Sequence, residues 1–431
     1  MQRHNPEPGL SIGKPAEEIT CDLCVIGAGS GGLSVAAAAA AFGQSVVLIE
    51  KHKMGGDCLN YGCVPSKALI AAGKRAHAMR TAAPFGIANV EPAVDRAAVH
   101  AHVKSVIAAI APNDSVERFT GLGVRVLQTA GRFVDRSTVI AGEARIKARR
   151  FVIATGSSPA VPPIPGLAET PYFTNETIFD NQGPMPHLLI IGGGPIGIEM
   201  AQANLRLGSK VTVIEGLKAL AKDDPELTTI LLRSLRDEGL DIREGAKVDR
   251  IDGKSGAVRI SVTIDGKAEV IEGTHLLVAT GRKPNIADLG LEAAGIKSDK
   301  RGITVGPSLV TSNARVFAIG DCTGGLQFTH VANYHAGIVI KRGLFRLPAK
   351  ADNDIVPWVT YTEPELANVG VTEAQAIERK LDYKVLRWPY HENDRAQAER
   401  TTQGHVKVIT SGKGVILGAG IVGEHAGELI Q

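Results

Sequence analysis

Apolar and polar positions along the chain trace one pattern twice. Residues 21–50, CDLCVIGAGSGGLSVAAAAAAFGQSVVLIE, run from an apolar strand through a glycine-rich turn into a helix of small residues. A glycine break at Gly43 and a second apolar strand ending in Glu50 follow. Residues 187–215, HLLIIGGGPIGIEMAQANLRLGSKVTVIE, repeat the pattern and end in Glu215. Each copy predicts strand, turn, helix, strand. The alanine run Ala36 to Ala41 predicts close packing of its helix on a sheet. Two later apolar strands, in RFVIATGSSP and HLLVATGRKP, both run into Ala-Thr-Gly. The Pro-rich VPPIPG at 161–166 reads as a linker. The alternating basic stretch Arg145 to Arg150 reads as an exposed strand, and the final HAGELIQ as a helix start.

The two turns carry chemistry. The first holds Gly27, Gly29 and Gly32 around Ser30 and Gly31; the second holds Gly192, Gly194 and Gly197 around Pro195 and Ile196. In both copies an acid stands 23 positions after the first glycine, Glu50 and Glu215. The first glycine makes the turn, the second admits a pyrophosphate, and the third lets helix and strand pack closely. The helix N-terminus meets the phosphates with unpaired N–H groups, and the acid takes a ribose hydroxyl. One such turn is weak evidence, but two in full context imply two dinucleotides. Glu215 repels a 2′-phosphate, and Gly216 follows where a phosphate reader would place arginine. The second site therefore favours NAD(H) over NADP(H), with Lys218 and Lys222 nearby. Glu50 and Lys51 suit the adenosine ribose of FAD.

Composition narrows the class. At about 150 residues per domain, 431 residues make roughly three domains. Hydrophobic residues at 44% and charged residues at 22% exclude a disordered, collagen-like or disulfide-scaffold chain. A net charge of +3, with both signs interspersed, argues against a nucleic-acid partner. No run reaches the ~18 apolar residues that would span a bilayer. The polar first residues, read as a loose tail over 1–18, hold no signal-peptide core, so a cytoplasmic location is expected.

Five cysteines are too few for a structural framework. Cys21 and Cys24 are read as buried strand residues on opposite faces, which argues against a shared metal. No metal site is assigned. Cys322 is read as a small packing residue, and His330 and His335 as packing or backbone-contact groups on a helix. Cys58 and Cys63, in GGDCLNYGCVPSKALI, are the pair of interest. On an ideal helix that offset turns the side chains about 140° apart, with Cα atoms beyond ~7 Å. A disulfide would need a distorted helix start, which Gly62 and Pro65 permit. Spacing alone leaves two buried free thiols as the alternative. Their place between a dinucleotide fold and a helix favours redox use, and a helix N-terminus favours thiolate.

This stretch resembles the redox-active motif of the flavin-dependent pyridine nucleotide-disulfide oxidoreductases, above all those of dihydrolipoamide dehydrogenase and mercuric reductase type. The resemblance runs from about residue 20 to the end. It includes both turns, both Ala-Thr-Gly sequences, VFAIGDC at 316–322 and TYTEPELANVGVTEAQA at 360–376. It implies an α/β fold with two Rossmann-like domains and a C-terminal α+β interface domain. The implied layout is an FAD-binding part over 1–156, an NAD-binding domain over 157–281, an FAD-domain return over 282–349 and the interface domain over 350–431.

The resemblance also implies roles. Cys63 would face the flavin and Cys58 would exchange with substrate, with Lys67 paired to Glu199 beside the flavin. Gly56, Gly131, Thr155, Gly156 and Asp321 would line FAD; Val248 and Gly281 would lie on the NAD side. Electrons would pass from NADH through the flavin and the sulfur pair to a small or protein-bound disulfide, or to a metal ion in a mercuric reductase-like alternative. The relatives act as homodimers. Three departures stand out: Asp57 where threonine is usual, Tyr61 where a small aliphatic is usual, and Pro195 in the nicotinamide pocket. Asp57 would raise the Cys58 pKa if nothing compensated. The family's C-terminal His-Glu pair has no match, and neither His391 nor His425 replaces it. The interface domain is therefore expected to be incomplete, which leaves a flavin-binding protein without turnover as a third reading.

Overall fold

The computed structural model describes residues 17–431. The expected loose tail lies outside the described residues, except for Glu17 and Glu18, which open the first strand, Glu17–Ile26. The fold is mixed α/β, as expected, and divides into two units. One takes the described residues up to Met54 together with Asp114–Gly156 and Pro284–Ala351; the other takes Gly55–Asn113, Ser157–Lys283 and Asp352–Gln431.

The first unit is built on parallel strands in the order Val124–Leu127, Val46–Ile49, Glu17–Ile26 and Ala144–Ile153, with Val316–Ala318 added beside the last. A hairpin, Gly131–Asp135 with Thr138–Ala141, pairs antiparallel to the first half of Ala144–Ile153. Helix Ser30–Ala41 packs against helix Thr329–Gly343. Ala36 and Ala39 are fully buried there, because a methyl side chain lets the helix lie close to its neighbours. The basic stretch alternates outward as predicted, with Lys147 and Arg149 exposed and paired to Glu18 and Asp22.

Cys21 and Cys24 correct the sequence reading. Both are buried, but they join the same apolar cluster as Ile19 and Ile26, while Leu23 and Val25 face another. Simple alternation would put Cys21 and Cys24 on opposite faces. The phase slips because the N–H groups of Asp22 and Leu23 both donate to the Ser45 carbonyl, at 3.0 and 3.1 Å. That doubled pairing inserts a residue and returns the same face to the core. Among the described residues no cluster of three or more metal-type ligands occurs.

In the second unit four parallel strands, Asp241–Arg243, Lys210–Ile214, His187–Ile191 and His275–Val278, form one layer. Residues of helices Cys63–Arg80, Pro195–Arg206 and Pro225–Asp237 share one core cluster with this sheet. An antiparallel sheet, Lys247–Lys254, Ala257–Ile264 and Lys267–Gly273, packs through Ile251 and Ile260 with Leu189 and Ile214. The Pro-rich segment is docked rather than loose: Ile251 N–H donates to the Pro165 carbonyl at 2.9 Å. The remaining chain forms a five-stranded antiparallel sheet in the order Trp358–Thr360, Glu365–Gly370, Ile416–Gly423, His405–Ser411 and Tyr383–Pro389. Residues of HAGELIQ form the short helix Ala426–Leu429. Among the described residues no helix is long and apolar enough to cross a membrane.

Candidate active site

The duplication holds atom for atom at the two turns. Gly27 has φ +105°, and a Cβ there would sit 2.4 Å from the Ala154 carbonyl oxygen. Gly192 has φ +114°, and its Cβ would sit 2.4 Å from the Ala279 carbonyl oxygen. A Cβ on Gly32 would lie 1.8 Å from Gly27 O, and one on Gly197 2.0 Å from Gly192 O. The first and third glycines are thus required by packing. Gly29 and Gly194 cap helices Ser30–Ala41 and Pro195–Arg206 with extended backbone that any residue can adopt. A Cβ on Gly194 would meet no atom of the described residues within 4 Å. None of the described residues demands glycine at that point, so the bare backbone fits a group that must approach closely from outside, as a pyrophosphate does.

The acids repeat as well. Glu50 accepts from the Ala28 N–H at 2.7 Å and the His52 N–H at 2.8 Å. Glu215 accepts from the Gly193 N–H at 2.7 Å and the Leu217 N–H at 2.8 Å. Each carboxylate is held beside its turn, as a ribose acceptor must be. Gly216 and Lys218 are exposed, as is Lys51 in the first copy. Ser30 begins the first helix, and a Cβ on Gly31 would touch Ile319 Cδ1 at 3.0 Å. Gly131 lies against Ile49, at 3.1 Å for an added Cβ.

After the two strands, Gly156 and Gly281 take φ +67° and +124° and leave open space where a Cβ would be. The Thr155 hydroxyl donates to the Asn285 carbonyl at 2.6 Å. Asp321 sits in the turn Gly320–Thr323, beside Gly320 at φ +67°. Cys322 is fully buried, and burial pushes its thiol up to about 11, in keeping with a packing role. His335 is buried, and its Nδ1 accepts from the Gly320 N–H at 3.2 Å. Val248 is half-buried against the antiparallel-sheet cluster, and Ile196 and Pro195 open the second helix.

The redox segment lies wholly in the second unit. Gly55 and Gly56 have φ +84° and +57° and start a short helix, Gly56–Asn60, that carries Cys58. Tyr61 and Gly62 leave helical geometry, and Cys63 begins the long helix Cys63–Arg80. The helix start is therefore broken between the two cysteines, so ideal-helix geometry does not describe their spacing. Both cysteines are half-buried. One turn on, Lys67 Nζ lies 2.8 Å from Glu199 Oε2, joining helix Cys63–Arg80 to helix Pro195–Arg206. The Tyr361 N–H donates to Glu199 Oε1 at 2.9 Å, and Lys67 Nζ stands 4.4 Å from the Tyr361 ring centroid. Burial pulls the Lys67 ammonium down, but its ion pair with Glu199, with a smaller contribution from Cys63, more than offsets it, so its pKa is raised. The lysine stays cationic one helical turn from Cys63.

Tyr361 was not singled out in the sequence, because its contact with Lys67 and Glu199 depends on strand placement. Asp57 is compensated: Arg282 Nη2 lies 3.1 Å from its Oδ1, and the Asn175 amide donates to the same oxygen at 3.2 Å. A bare carboxylate beside Cys58 is therefore not what the chain presents.

Comparison with known proteins bears on the same segments. The profile described as pyridine nucleotide-disulphide oxidoreductase matches residues 21–336, and that of the corresponding dimerisation domain matches 356–431. The chain is 36% identical to a mercuric reductase of Lysinibacillus sphaericus over 95% of its own length and 76% of that protein. It is 34% identical to a dihydrolipoyl dehydrogenase of Geobacillus stearothermophilus, over 96% and 88% respectively. Among solved structures, the HOCl-induced flavoprotein disulfide reductase RclA from Escherichia coli superimposes with a TM-score of 0.83 at 29% identity, covering 95% of this chain and 91% of that one. LpdA from Mycobacterium tuberculosis gives 0.86 at 27% identity, with the same coverages.

Proposed function

This chain belongs to the pyridine nucleotide-disulphide oxidoreductase family, and we propose that it moves electrons between NAD(H) and a disulfide or dithiol through Cys58 and Cys63, in the manner of dihydrolipoamide dehydrogenase. The observation that carries this reading is the broken helix start, which puts one cysteine on each side of the Tyr61–Gly62 break with the Lys67–Glu199 pair a turn beyond. FAD, when bound, would supply the two-electron relay between nicotinamide and sulfur. Gly27, Gly29 and Gly32 would hold its pyrophosphate and Glu50 its ribose, while Gly131, Thr155, Gly156 and Asp321 would line it. Gly192, Gly194 and Gly197, with Glu215, would hold NAD(H), and Pro195, Ile196, Val248 and Gly281 would flank it. Cys58 exchanges with substrate and Cys63 holds the second sulfur. Lys67 keeps a positive charge near the Cys63 thiolate. In the net reaction NADH gives up a hydride, solvent gives a proton, and one S–S bond becomes two thiols.

A mercuric reductase-like reading has its own support in the relatives of that name. There the pair would ligate Hg(II), and the two electrons from NADH would yield the metal, NAD⁺ and a proton. Titration of the flavin-loaded protein with NADH should produce a two-electron-reduced form with a long-wavelength thiolate–flavin band. Turnover with lipoamide, glutathione disulfide and Hg(II) then separates the acceptors. NADH should exceed NADPH in kcat/KM by about tenfold or more, because Glu215, held beside its turn, would set its charge against a 2′-phosphate. Absence of both the band and turnover with all three acceptors would overturn the reading.

We also propose a homodimer through residues 356–431. Leu386, Trp388 and Ile416 on the five-stranded sheet, and Val415 just before strand Ile416–Gly423, are more than half exposed, an apolar surface that a second copy would cover. Sedimentation equilibrium should return twice the chain mass, and a monomer at micromolar concentration would count against it.

A further inference from the structure

Asp57 and Arg282 form a charge pair whose position does not follow from the fold alone. The Asp57 carboxylate is on the residue preceding Cys58, and its Oδ2 lies 2.8 Å from where a Cβ on Gly62 would be. Gly62 in turn precedes Cys63. One carboxylate is therefore packed into the loop that separates the two sulfurs. The Asn175 amide bridges it to the Tyr61 carbonyl, at 3.2 and 3.3 Å. Arg282 comes from just beyond the second Ala-Thr-Gly. Its side chain is only 10% exposed, and it donates to the Ser157 hydroxyl at 2.7 Å and the Ser157 carbonyl at 2.9 Å. Ser157 itself follows the first Ala-Thr-Gly. The residues that leave the two duplicated strands thus meet each other and fix a cation on the cysteine loop.

We infer that Arg282 and Asp57 are a matched pair of positioning residues that set the reactivity of Cys58: the carboxylate holds the loop closed over Gly62, and the guanidinium cancels its charge at the thiol. This rests on the proposed redox use of Cys58 and Cys63 and deepens it. The carboxylate alone would disfavour the thiolate, and the guanidinium alone would favour it. Because the pair is partly buried, neither charge is fully screened when its partner is removed. Among the described residues, other ionisable groups on the elements packed by Cys58 include Cys63 and Lys67 on the next helix, Glu199 and Tyr361 against Lys67, and Tyr61 in the loop. Glu176 adjoins Asn175, and helix Arg96–Ile110, packed on the short helix, carries His100 and His102. These are unchanged in every variant below and cancel in the comparison.

The test is the pH profile of iodoacetamide alkylation at Cys58 in the reduced full-length protein, with the labelled residue identified by mass spectrometry. R282M should move the midpoint up by about half to one pH unit, and D57N should move it down by a similar amount. The double variant should return to near the wild-type value, and R282K should stay close to it. A purely structural role would not give shifts of opposite sign that cancel. Shifts of the same sign, or no shift in D57N, would overturn the inference. If R282M does not fold, D57N and the double variant still decide: the difference between them isolates the arginine charge. Thiol titration of the oxidised and reduced wild-type protein, both denatured, tests the underlying reading separately. If reduction releases no thiols at 58 and 63, the redox assignment fails, whatever the alkylation profiles do.

Discussion

Cys58→Ser should abolish NADH-dependent reduction of lipoamide and glutathione disulfide, with a loss of about a thousandfold or more in kcat. A hydroxyl at 58 cannot open a substrate disulfide at neutral pH. Reduction of an artificial dye by NADH does not need the sulfur pair, so it should persist in the same preparation. The two assays read side by side separate loss of exchange chemistry from loss of flavin or fold. Retention of disulfide turnover in Cys58→Ser would remove Cys58 from the mechanism. Cys63→Ser should lose turnover as well, and should also lose the long-wavelength band, since the proposed flavin-facing sulfur is the one replaced.

The second large effect is on stability. Lys407, on strand His405–Ser411, has a side chain only 5% exposed and meets three carboxylates: Asp224 at 2.8 Å, Glu226 at 2.9 Å and Glu373 at 2.6 Å. Asp224 caps helix Pro225–Asp237 by accepting from the Glu226 N–H, and Glu373 opens helix Glu373–Glu378. One ammonium therefore ties the parallel-sheet layer to the five-stranded sheet within the second unit. Lys407→Met leaves those carboxylates, among the described residues, with Arg387, bonded to Glu226 at 2.8 Å, and with His405, whose Nε2 lies 3.6 Å from Glu226 Oε1. Stranding a fully buried charge costs about 3–5 kcal/mol; Asp224 is buried, but the Glu226 and Glu373 side chains keep 34% and 28% exposure, so the loss falls toward the lower end of that range. Urea unfolding at pH 7 should show a midpoint lowered accordingly. An unchanged midpoint would mean that water reaches the carboxylates and solvates them.

The same cluster predicts the acid limb. Hydrogen bonds from Arg387, together with Lys407, hold the Glu226 carboxyl down at about 2, against the opposing effect of burial. Its folded value lies below the unfolded one of about 4.3. Its stabilisation is therefore complete above the unfolded value and lost as pH falls toward about 2. In Lys407→Met that stabilisation is already reduced, so the gap between wild type and variant should narrow as urea midpoints are taken from pH 7 down to pH 3. A gap that widens on acidification would reverse the assignment.

The duplicated turns were legible in the chain because their glycine and acid spacing repeats; the third glycine of each meets the first within its own turn, while the first meets a carbonyl of a distant strand, Ala154 or Ala279. Gly27, Gly32, Gly192 and Gly197 are fixed by backbone approaches of 2.4 Å or less for an added Cβ, and only glycine tolerates those wherever the fold occurs. At the Gly62 helix break the contact is a side chain in the same segment: an added Cβ would meet Asp57 Oδ2 at 2.8 Å. Simple alternation failed at Cys21 and Cys24, because the shift in phase comes from the strand's pairing with Ser45 on its neighbour.

The order of motifs and their glycine, acid and cysteine spacings could be read from the sequence alone, since the spacings are properties of the chain itself, even where the contact that requires a glycine comes from a distant strand. Apart from Lys67 and Glu199, whose pairing the family resemblance already implied, which charges meet was decided only by the tertiary structure. Arg282 reaches Asp57, Lys407 gathers Asp224, Glu226 and Glu373, and Tyr361 backs Glu199. Partners so distant in the chain are chosen by which layers pack together, and a buried charge finds its counter-ion only once that packing has excluded water.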